Sequence, residues 1–332
     1  MCQAEVSVLL PVHHAGPGFV DAVLSIVRQI DIKPELVLVL NAPDQASKSA
    51  ALSLAAQFPE IKLVEEARKG IHFALNTGLA HCHAPFIARM DADDFSLPNR
   101  LRSQLNILLH HEQIDLVSCR TSVPESMQNG GFRAFVNWQN QILSPGQHLA
   151  AIFHESPVAH PSVMFRRNCL SRWGSYSFDH DIPEDYELWL RWLSRGARFL
   201  KIPEVLLIWN DSPQRLSRTH HAYSKVAFDK IRYPAAALFF KERKKEWWVC
   251  GGSRIAKRKI LALRQNKLHI AGVIDVVQRK ISGLPFVLAT DFSPSEQQGV
   301  INLLSGREQI QHVSAFLNSL QLIEGEDWFT VG

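Results

Sequence analysis

Residues 87–101, IARMDADDFSLPNRL, place Asp91, Asp93 and Asp94 within four residues, directly after an apolar run that reads as a buried strand. Like charges repel and desolvation penalises each one, so acids gathered at the end of a buried strand require a cation nearby. Hard divalent ions such as Mg2+ or Mn2+ prefer carboxylate oxygens and commonly bridge a protein to phosphate. Asp91 and Asp93 alternate around Ala92 and point the same way in extended geometry, which makes them the metal candidates. Asp94 or Ser96 suits a different task, capping a helix opened by Pro98.

A second acidic pair, Glu184-Asp185, opens a segment whose apolar residues Leu188, Trp189, Trp192 and Leu193 recur at helical spacing. Pro183 fits a helix start and the helix dipole favours acids in a first turn, so a structural role stands beside a chemical one. Lys69 and Arg89 flank the first acid cluster and offer positive charge to a phosphate or to a salt bridge. His81-Cys82-His83 has the look of a metal motif, but two residues apart on a helix the histidines diverge by about 200°, so the stretch reads as a helix end. Cys2, Cys82, Cys119, Cys169 and Cys250 form no CxxC pair and suggest neither a disulfide framework nor a thiolate zinc site.

The elements that must position these groups follow from hydrophobic patterning. Apolar strand-length runs at 6–12, 36–40, 61–64 and 86–90 alternate with helix-like segments at 18–29, 46–58 and 71–81, which reads as βαβ units building a mostly parallel sheet flanked by helices. Ligands of such α/β sheets bind at the carboxyl ends of the strands. Pro11–His14, Asn41–Asp44 and Asp91–Asp94 all follow strand ends, so the candidate groups converge on one edge.

In that order the chain resembles the family 2 type of GT-A glycosyltransferases, nucleotide-sugar-dependent enzymes with a DxD metal motif. VSVLLPVHH at 6–14 is similar to their opening strand, ELVLVLNAPD at 35–44 to their second nucleotide-binding strand, and KGIHFALNTGLAHCHAPFIARMDADD at 69–94 to their central segment. ESPVAHPSVMFRR at 155–167 and EDYELWLRW at 184–192 resemble the acceptor-side segment and the catalytic-base helix. The resemblance implies a nucleotide site built from Pro11, Val12, His13, Asn41, Lys69, Arg89 and Asp91, and a Mn2+ or Mg2+ ion on Asp91 and Asp93. It implies Asp185 as general base with Glu184 supporting it, His160 near the acceptor, and Arg215 with His220 or His221 in a loop that closes over the diphosphate. Where an Asp-Asp pair is usual for recognising the base, this chain has Leu40 and Asn41, and a uridine donor is the expectation on which that departure bears most.

The function so implied is transfer of a single sugar from a UDP-sugar to a hydroxyl of a glycan or glycolipid in bacterial surface polysaccharide synthesis. With one base and no separate protein nucleophile, a single inverting displacement is expected. The alternatives are a non-catalytic nucleotide-sugar-binding scaffold and an oxidoreductase led by the C-terminal region. No QxxRW signature of processive synthases stands out.

Composition fits an enzyme with substantial cores, at 332 residues and 46% apolar. No apolar run approaches the roughly 20 residues of a membrane-spanning helix, and MCQAEVSVLLPVHH lacks the basic start of a signal peptide. A cytoplasmic location is expected, with room for peripheral contact at the inner face of the membrane. The charge of +4 is mild and Lys and Arg read as scattered, which argues against nucleic acid as partner.

Past residue 240 the pattern starts afresh, so the domains are expected at 1–240 and 241–332. KERKKE at 241–246 reads as a solvated junction with Trp247 and Trp248 exposed beside it, followed by a strand, glycine turn, helix and strand similar to an appended Rossmann-like module. Gly251, Ser253 and Ala256 stand where a dinucleotide fingerprint needs glycines, and Asp275 stands where such folds place a ribose-binding acid. A degenerate module is expected, completed by 285–290, 299–305 and a helix over 307–321.

Overall fold

The computed structural model describes residues 4–124, 130–211, 215–278, 281 and 283–332, and the chain divides into two compact units. The first runs through Ser144, resumes at Val158–Leu188 and closes with Arg195–Tyr223. It holds an eight-stranded sheet of β1 (Val6–Val12), β2 (Glu35–Asn41), β3 (Ile61–Glu66), β4 (Phe86–Arg89), β5 (Phe95–Ser96), β6 (Leu116–Ser122), β7 (Met164–Arg166) and β8 (Phe199–Ile208), in the order β3-β2-β1-β4-β7-β6-β8-β5.

The first four strands are parallel, with β1 between β2 and β4 in the registers Val8↔Leu36 and Ser7↔Ile87. Their sequences are near-continuous apolar runs because helices cover both faces of such a sheet, and every residue of β1 is buried. Helices Phe19–Val27, Gln45–Gln57 and Ile71–His81 make the crossovers, each within about two residues of where patterning expects it. From β1 the chain winds one way to β2 and β3 and the other way to β4. The crevice at this reversal, outside the carboxyl ends of β1 and β4, is where an open α/β sheet accepts ligands. Beyond β4 the sheet turns mixed, since β7 pairs antiparallel with both β4 and β6.

One local expectation is corrected. Helix Arg100–His110 begins two residues after Pro98 and takes no side-chain cap from its own approach. Gln29 reaches across from another segment, its Oε1 accepting the Leu101 N–H at 2.9 Å. Ser96 is occupied by Gln29 at 3.1 Å, and Asp94 serves the 210 loop instead. Long-range hydrogen bonds do the capping that a local reading assigns to neighbours.

The second unit comprises Pro145–Pro157, Trp189–Ser194 and Ser224–Gly332. Its strands β9 (Glu246–Cys250), β10 (Gly272–Asp275), β11 (Phe286–Leu288), β12 (Gln298–Asn302) and β13 (Trp328–Thr330) are all parallel, in the doubly wound order β11-β10-β9-β12-β13. Gly251 follows β9 at φ +112°, a left-handed backbone that glycine adopts without strain. The next N–H, of Gly252, donates to Asp275 Oδ2 at 2.7 Å, and Ser253 caps helix Arg254–Gln265. Trp247 is buried rather than exposed, its indole N–H donating to Phe240 O at 2.8 Å, and Trp248 packs at a tilt against Phe292 and over Gly272. Cys82, Cys119, Cys169 and Cys250 are buried free thiols, and Cys2 lies outside the described residues.

Gly78 is the tightest contact in the helix that flanks the crevice. A Cβ there would meet Leu9 Cδ1 at 2.2 Å and Val39 Cγ2 at 2.7 Å. Gly78→Val should therefore lower stability by about 2 kcal/mol or more through overpacking. Denaturant unfolding would measure it, and an unchanged midpoint would contradict this packing.

Candidate active site

At the carboxyl end of β4 the chain leaves the sheet at Arg89 and turns through the acids. Oxygens of Asp91, Asp93 and Asp94 all lie within 4.8 Å of one another. Arg89, 2% exposed, donates from Nη1 to Asp91 Oδ1, while its own carbonyl accepts from Arg100 at 3.2 Å. Asp94 is buried. Its Oδ1 accepts the Asn210 N–H at 2.8 Å, the Asn210 amide donates to Asp93 O at 2.5 Å, and Asp94 Oδ2 has no partner among the described residues. Burial first, then the charges of Asp91 and Asp93, hold the Asp94 carboxyl well above its ordinary value. Asp93 is raised for the same two reasons, desolvation and Asp91, although its side chain opens to solvent.

Three clustered carboxylates with one buried orphan oxygen are a hard, oxygen-only donor set, and they fit Mg2+ or Mn2+. Asp94 belongs to that set by position, which the helix-cap expectation did not foresee. Arg215 stacks over Trp209 at 4.8 Å and near Phe132 at 5.3 Å, and its charge draws Asp93 and Asp94 back toward ionisation.

A cavity of about 480 Å³ opens at the carboxyl ends of β1 and β2. Pro11, Val12 and His13 from the end of β1, Asn41 from the end of β2 and Lys69–Phe73 line it together with His180, Ile182, Glu184, His220, Ala222 and Tyr223. Asn41 spends its amide on the backbone: Nδ2 donates to Arg68 O at 2.6 Å and Oδ1 accepts the Gly70 N–H at 3.0 Å. Its carbonyl meets His13 Nδ1 at 2.7 Å. These bonds fix the turn at Gly70, whose φ of +142° would strain any other residue. His72, two residues on, is buried, tilted against Phe73 at 4.2 Å and stacked with His180 at 6.4 Å, with Nε2 unpartnered among the described residues. Burial, then the charge of His180, lowers its pKa and keeps the ring neutral.

Glu184 closes the far wall, at the start of helix Glu184–Ser194. Its Oε2 accepts the Tyr223 hydroxyl at 2.5 Å and its Oε1 lies 4.0 Å from His160 Nδ1. Burial and then the neighbouring Asp185 charge push its carboxyl up to about 8. His160 Nε2 meets the Tyr176 hydroxyl at 2.7 Å, and burial followed by the Arg89 charge keeps that imidazole neutral. Asp185, half-buried, accepts the Tyr186 N–H at 2.7 Å. Desolvation raises its pKa, with Arg89 opposing and Asp91 adding to the rise. The two acid groups thus share one buried arginine.

Residues 7–173 match the family Glycosyl transferase family 2. The chain belongs to glycosyl transferase family 2. Among curated relatives of this family 2 chain, the amylovoran biosynthesis glycosyltransferase AmsE of Erwinia amylovora is 32% identical over 174 residues, 52% of this chain and 63% of that protein. The UDP-Gal:alpha-D-GlcNAc-diphosphoundecaprenol beta-1,3-galactosyltransferase of Escherichia coli is 26% identical over 230 residues, 68% of this chain and 82% of that one. Among solved structures, S. aureus TarS 1–349 in complex with UDP-GlcNAc superposes with a TM-score of 0.56 at 14% identity, covering 79% of this chain and 71% of TarS 1–349. The mannosyltransferase PcManGT of Pyrobaculum calidifontis, solved with GDP-Man and Mn2+, gives 0.50 at 19% identity over 80% and 70%. These likenesses establish the GT-A type of fold.

Within this family 2 site the structure gathers Pro11, Val12, His13, Asn41, Lys69, Glu184 and His220 around the cavity and Arg89, Asp91 and Asp93 at the acid cluster. His160 sits behind Glu184. Arg215 and Asp185 are not among the lining residues of the cavity. Residues 212–214, in the loop expected before Arg215, lie outside the described residues. His221 turns to Asp181 at 2.7 Å. His72, Tyr176, His180 and Tyr223 were absent from the sequence reading; lone aromatics and histidines carry no spacing signal, and only the closure of loops onto the crevice reveals them.

The Glu184 shift has a stability consequence. Its folded carboxyl keeps a proton that the unfolded chain releases near its ordinary 4.5, so the stability that this group contributes is full below that value and lost as pH rises through about 8. Glu184→Gln should flatten the fall in thermal midpoint across that window. A parallel pH profile for wild type and variant would show that Glu184 is not the group responsible.

Proposed function

We propose that this protein transfers a single sugar from a nucleotide-sugar, with UDP-sugars the favoured donors, to a hydroxyl of a glycan or lipid-linked acceptor in bacterial surface polysaccharide synthesis, with inversion at the anomeric carbon. The observation that carries the reading is the cluster of Asp91, Asp93 and Asp94 at the carboxyl end of β4, whose oxygens lie within 4.8 Å of one another and are bonded by the buried Arg89 through Asp91. An ion site on the donor side and a desolvated carboxylate on the acceptor side suit a displacement that passes from one to the other.

Mn2+ or Mg2+, held by Asp91 and Asp93 with Asp94 completing the set, would supply charge neutralisation for a departing diphosphate. The chain's own residues do the rest. Asp185 takes the proton of the acceptor hydroxyl as general base, and its desolvation, which raises its basicity, fits that role. Glu184 is the supporting acid, held by Tyr223. Lys69 faces the cavity and meets phosphate charge. His220 and Arg215 belong to the segment that closes on the donor, and His160 steadies the acceptor side through Glu184.

The nucleoside occupies the end of the cavity formed by Pro11–His13 and Gly70–Phe73. Asn41 shapes that end rather than reading a base, because its amide is already committed to the turn. His72 Nε2 is the buried polar atom left to address a base edge, and its neutral ring can donate or accept there. The galactosyltransferase relative takes a UDP-sugar by its name and PcManGT was solved with GDP-Man, so a nucleotide panel decides this point. Among the described residues no helix is long and apolar enough to cross a membrane; a lipid-linked acceptor would place the protein peripherally at the inner face of the membrane.

Thermal-shift measurements with UDP, GDP, CDP and dTDP, each with and without Mn2+, test the donor reading. One nucleotide should stabilise the wild type in a metal-dependent way, and Asp93→Ala should abolish the shift. No metal-dependent shift with any nucleotide would sink the donor site and turn the reading toward a scaffold. With the donor so identified, Asp185→Asn should lower kcat by about 10² to 10⁴ while leaving donor affinity within about twofold. Loss of donor binding in step with kcat would instead make Asp185 a structural residue.

A further inference from the structure

Positive charge is concentrated in the second unit. Residues 225–267 carry 13 Lys and Arg against 3 Asp and Glu, whereas the whole chain has 36 against 32. The expectation of scattered cations therefore fails for this stretch. Helix Arg254–Gln265 contains no acid and buries Ala256, Lys259, Ile260 and Leu263. The opposite face centres on Leu261, which is 57% exposed. Arg258 and Arg264 stand three residues to either side of it, and Lys257 and Arg254 stand four and seven residues before it, so all four exposed cations ring one exposed leucine. Ile255, also exposed, lies on the flank.

Folding alone does not favour this arrangement. Arg254, Lys257 and Arg258 sit in the first turns of the helix, where the dipole favours acids and disfavours cations. Helix Lys225–Glu242 packs against this one and exposes Val226, Lys230, Leu238 and Lys241 along one stripe. Both helices thus mix exposed aliphatic side chains with lysine and arginine, the composition of a helix that lies in a membrane interface.

We propose that helix Arg254–Gln265, with helix Lys225–Glu242 beside it, docks the protein on an anionic phospholipid surface, its cations meeting headgroups and Leu261 and Ile255 entering the acyl boundary. The charge alone would also suit a nucleic acid, but bare aliphatic side chains gain nothing from a hydrated polyanion and the exposed face offers no aromatic platform for bases. This names the surface behind the peripheral placement proposed above and is independent of the donor chemistry, since vesicle binding is read without a substrate.

Flotation of the full chain with phosphatidylcholine vesicles, with and without phosphatidylglycerol, tests it. The wild type should float with the anionic vesicles alone and detach as salt rises. Arg258→Glu with Arg264→Glu should weaken that binding at least about tenfold, and Ile255→Ser with Leu261→Ser should weaken it several-fold, each with an unchanged thermal midpoint. Failure of the wild type to float, or equal flotation of both double variants, would overturn the proposal. So would tighter retention on duplex DNA that the serine variant leaves intact, which would assign the surface to nucleic acid.

Discussion

The site depends on one ion pair, made by a buried arginine with a partly exposed aspartate. Arg89 ends β4, the strand next to β1 at the switch point, and at 2% exposure it has no water to solvate its charge. A guanidinium so placed costs several kcal/mol unless anions and hydrogen bonds answer it. Asp91 answers it directly, and the nearby Asp94 adds to the field that keeps it charged. That arginine in turn is what lets so many acids converge. It lowers the pKa of Asp93, Glu184 and Asp185 against the burial that raises them, and it discourages protonation of His160. Removing its charge would leave the acids repelling one another with less of the protein's positive charge to oppose them, Arg215 still acting on Asp93 and Asp94.

This geometry explains which parts of the molecule were legible in the sequence. β1 to β4 and their crossover helices are set by local patterning, apolar runs for a doubly covered sheet and alternating helical faces between them, so both their type and their order can be read from residues 6–94. The mixed half cannot be read that way. β7 is three residues long and antiparallel to its neighbours, β5 is two residues, and both exist because a distant strand offers them hydrogen bonds. β13, in the second unit, is of the same kind.

The chemistry divides along the same line. Asp91, Asp93, Glu184 and Asp185 were legible because paired acids at strand and helix ends are costly and therefore conspicuous. Asp94 was recognised and misread as to task, and the turn that Asn41 holds was not foreseen, because each makes its hydrogen bonds to loops remote in sequence. Asp94 bonds the backbone at Asn210, and Asn41 bonds the turn at Arg68 and Gly70. Local reasoning placed a helix cap at Asp94 and a nucleotide contact at Asn41; tertiary structure adds a loop anchor at the first and a turn clamp at the second.

Violations of ordinary stability rules mark the site more sharply than any motif does. The orphan oxygen of Asp94, the unpartnered Nε2 of His72 and the raised carboxyl of Glu184 each cost free energy in the folded state. All three sit at or beside one crevice, over a sheet whose β1 and β2 are almost wholly buried. A core of that kind can offset such losses, and the losses are reversible: a cation, a polar edge or a proton acceptor arriving in the crevice satisfies groups that the protein alone leaves strained. Pre-paid desolvation of this sort turns part of the folding free energy into binding selectivity, because a ligand lacking the matching charge or hydrogen bond leaves the cost standing. Surface acids and histidines such as His14 and Asp44, which already satisfy one another at 2.8 Å, gain little from any visitor. The difference between these two classes of polar group, satisfied at the surface and unsatisfied in the crevice, is what separates a solvated exterior from a site.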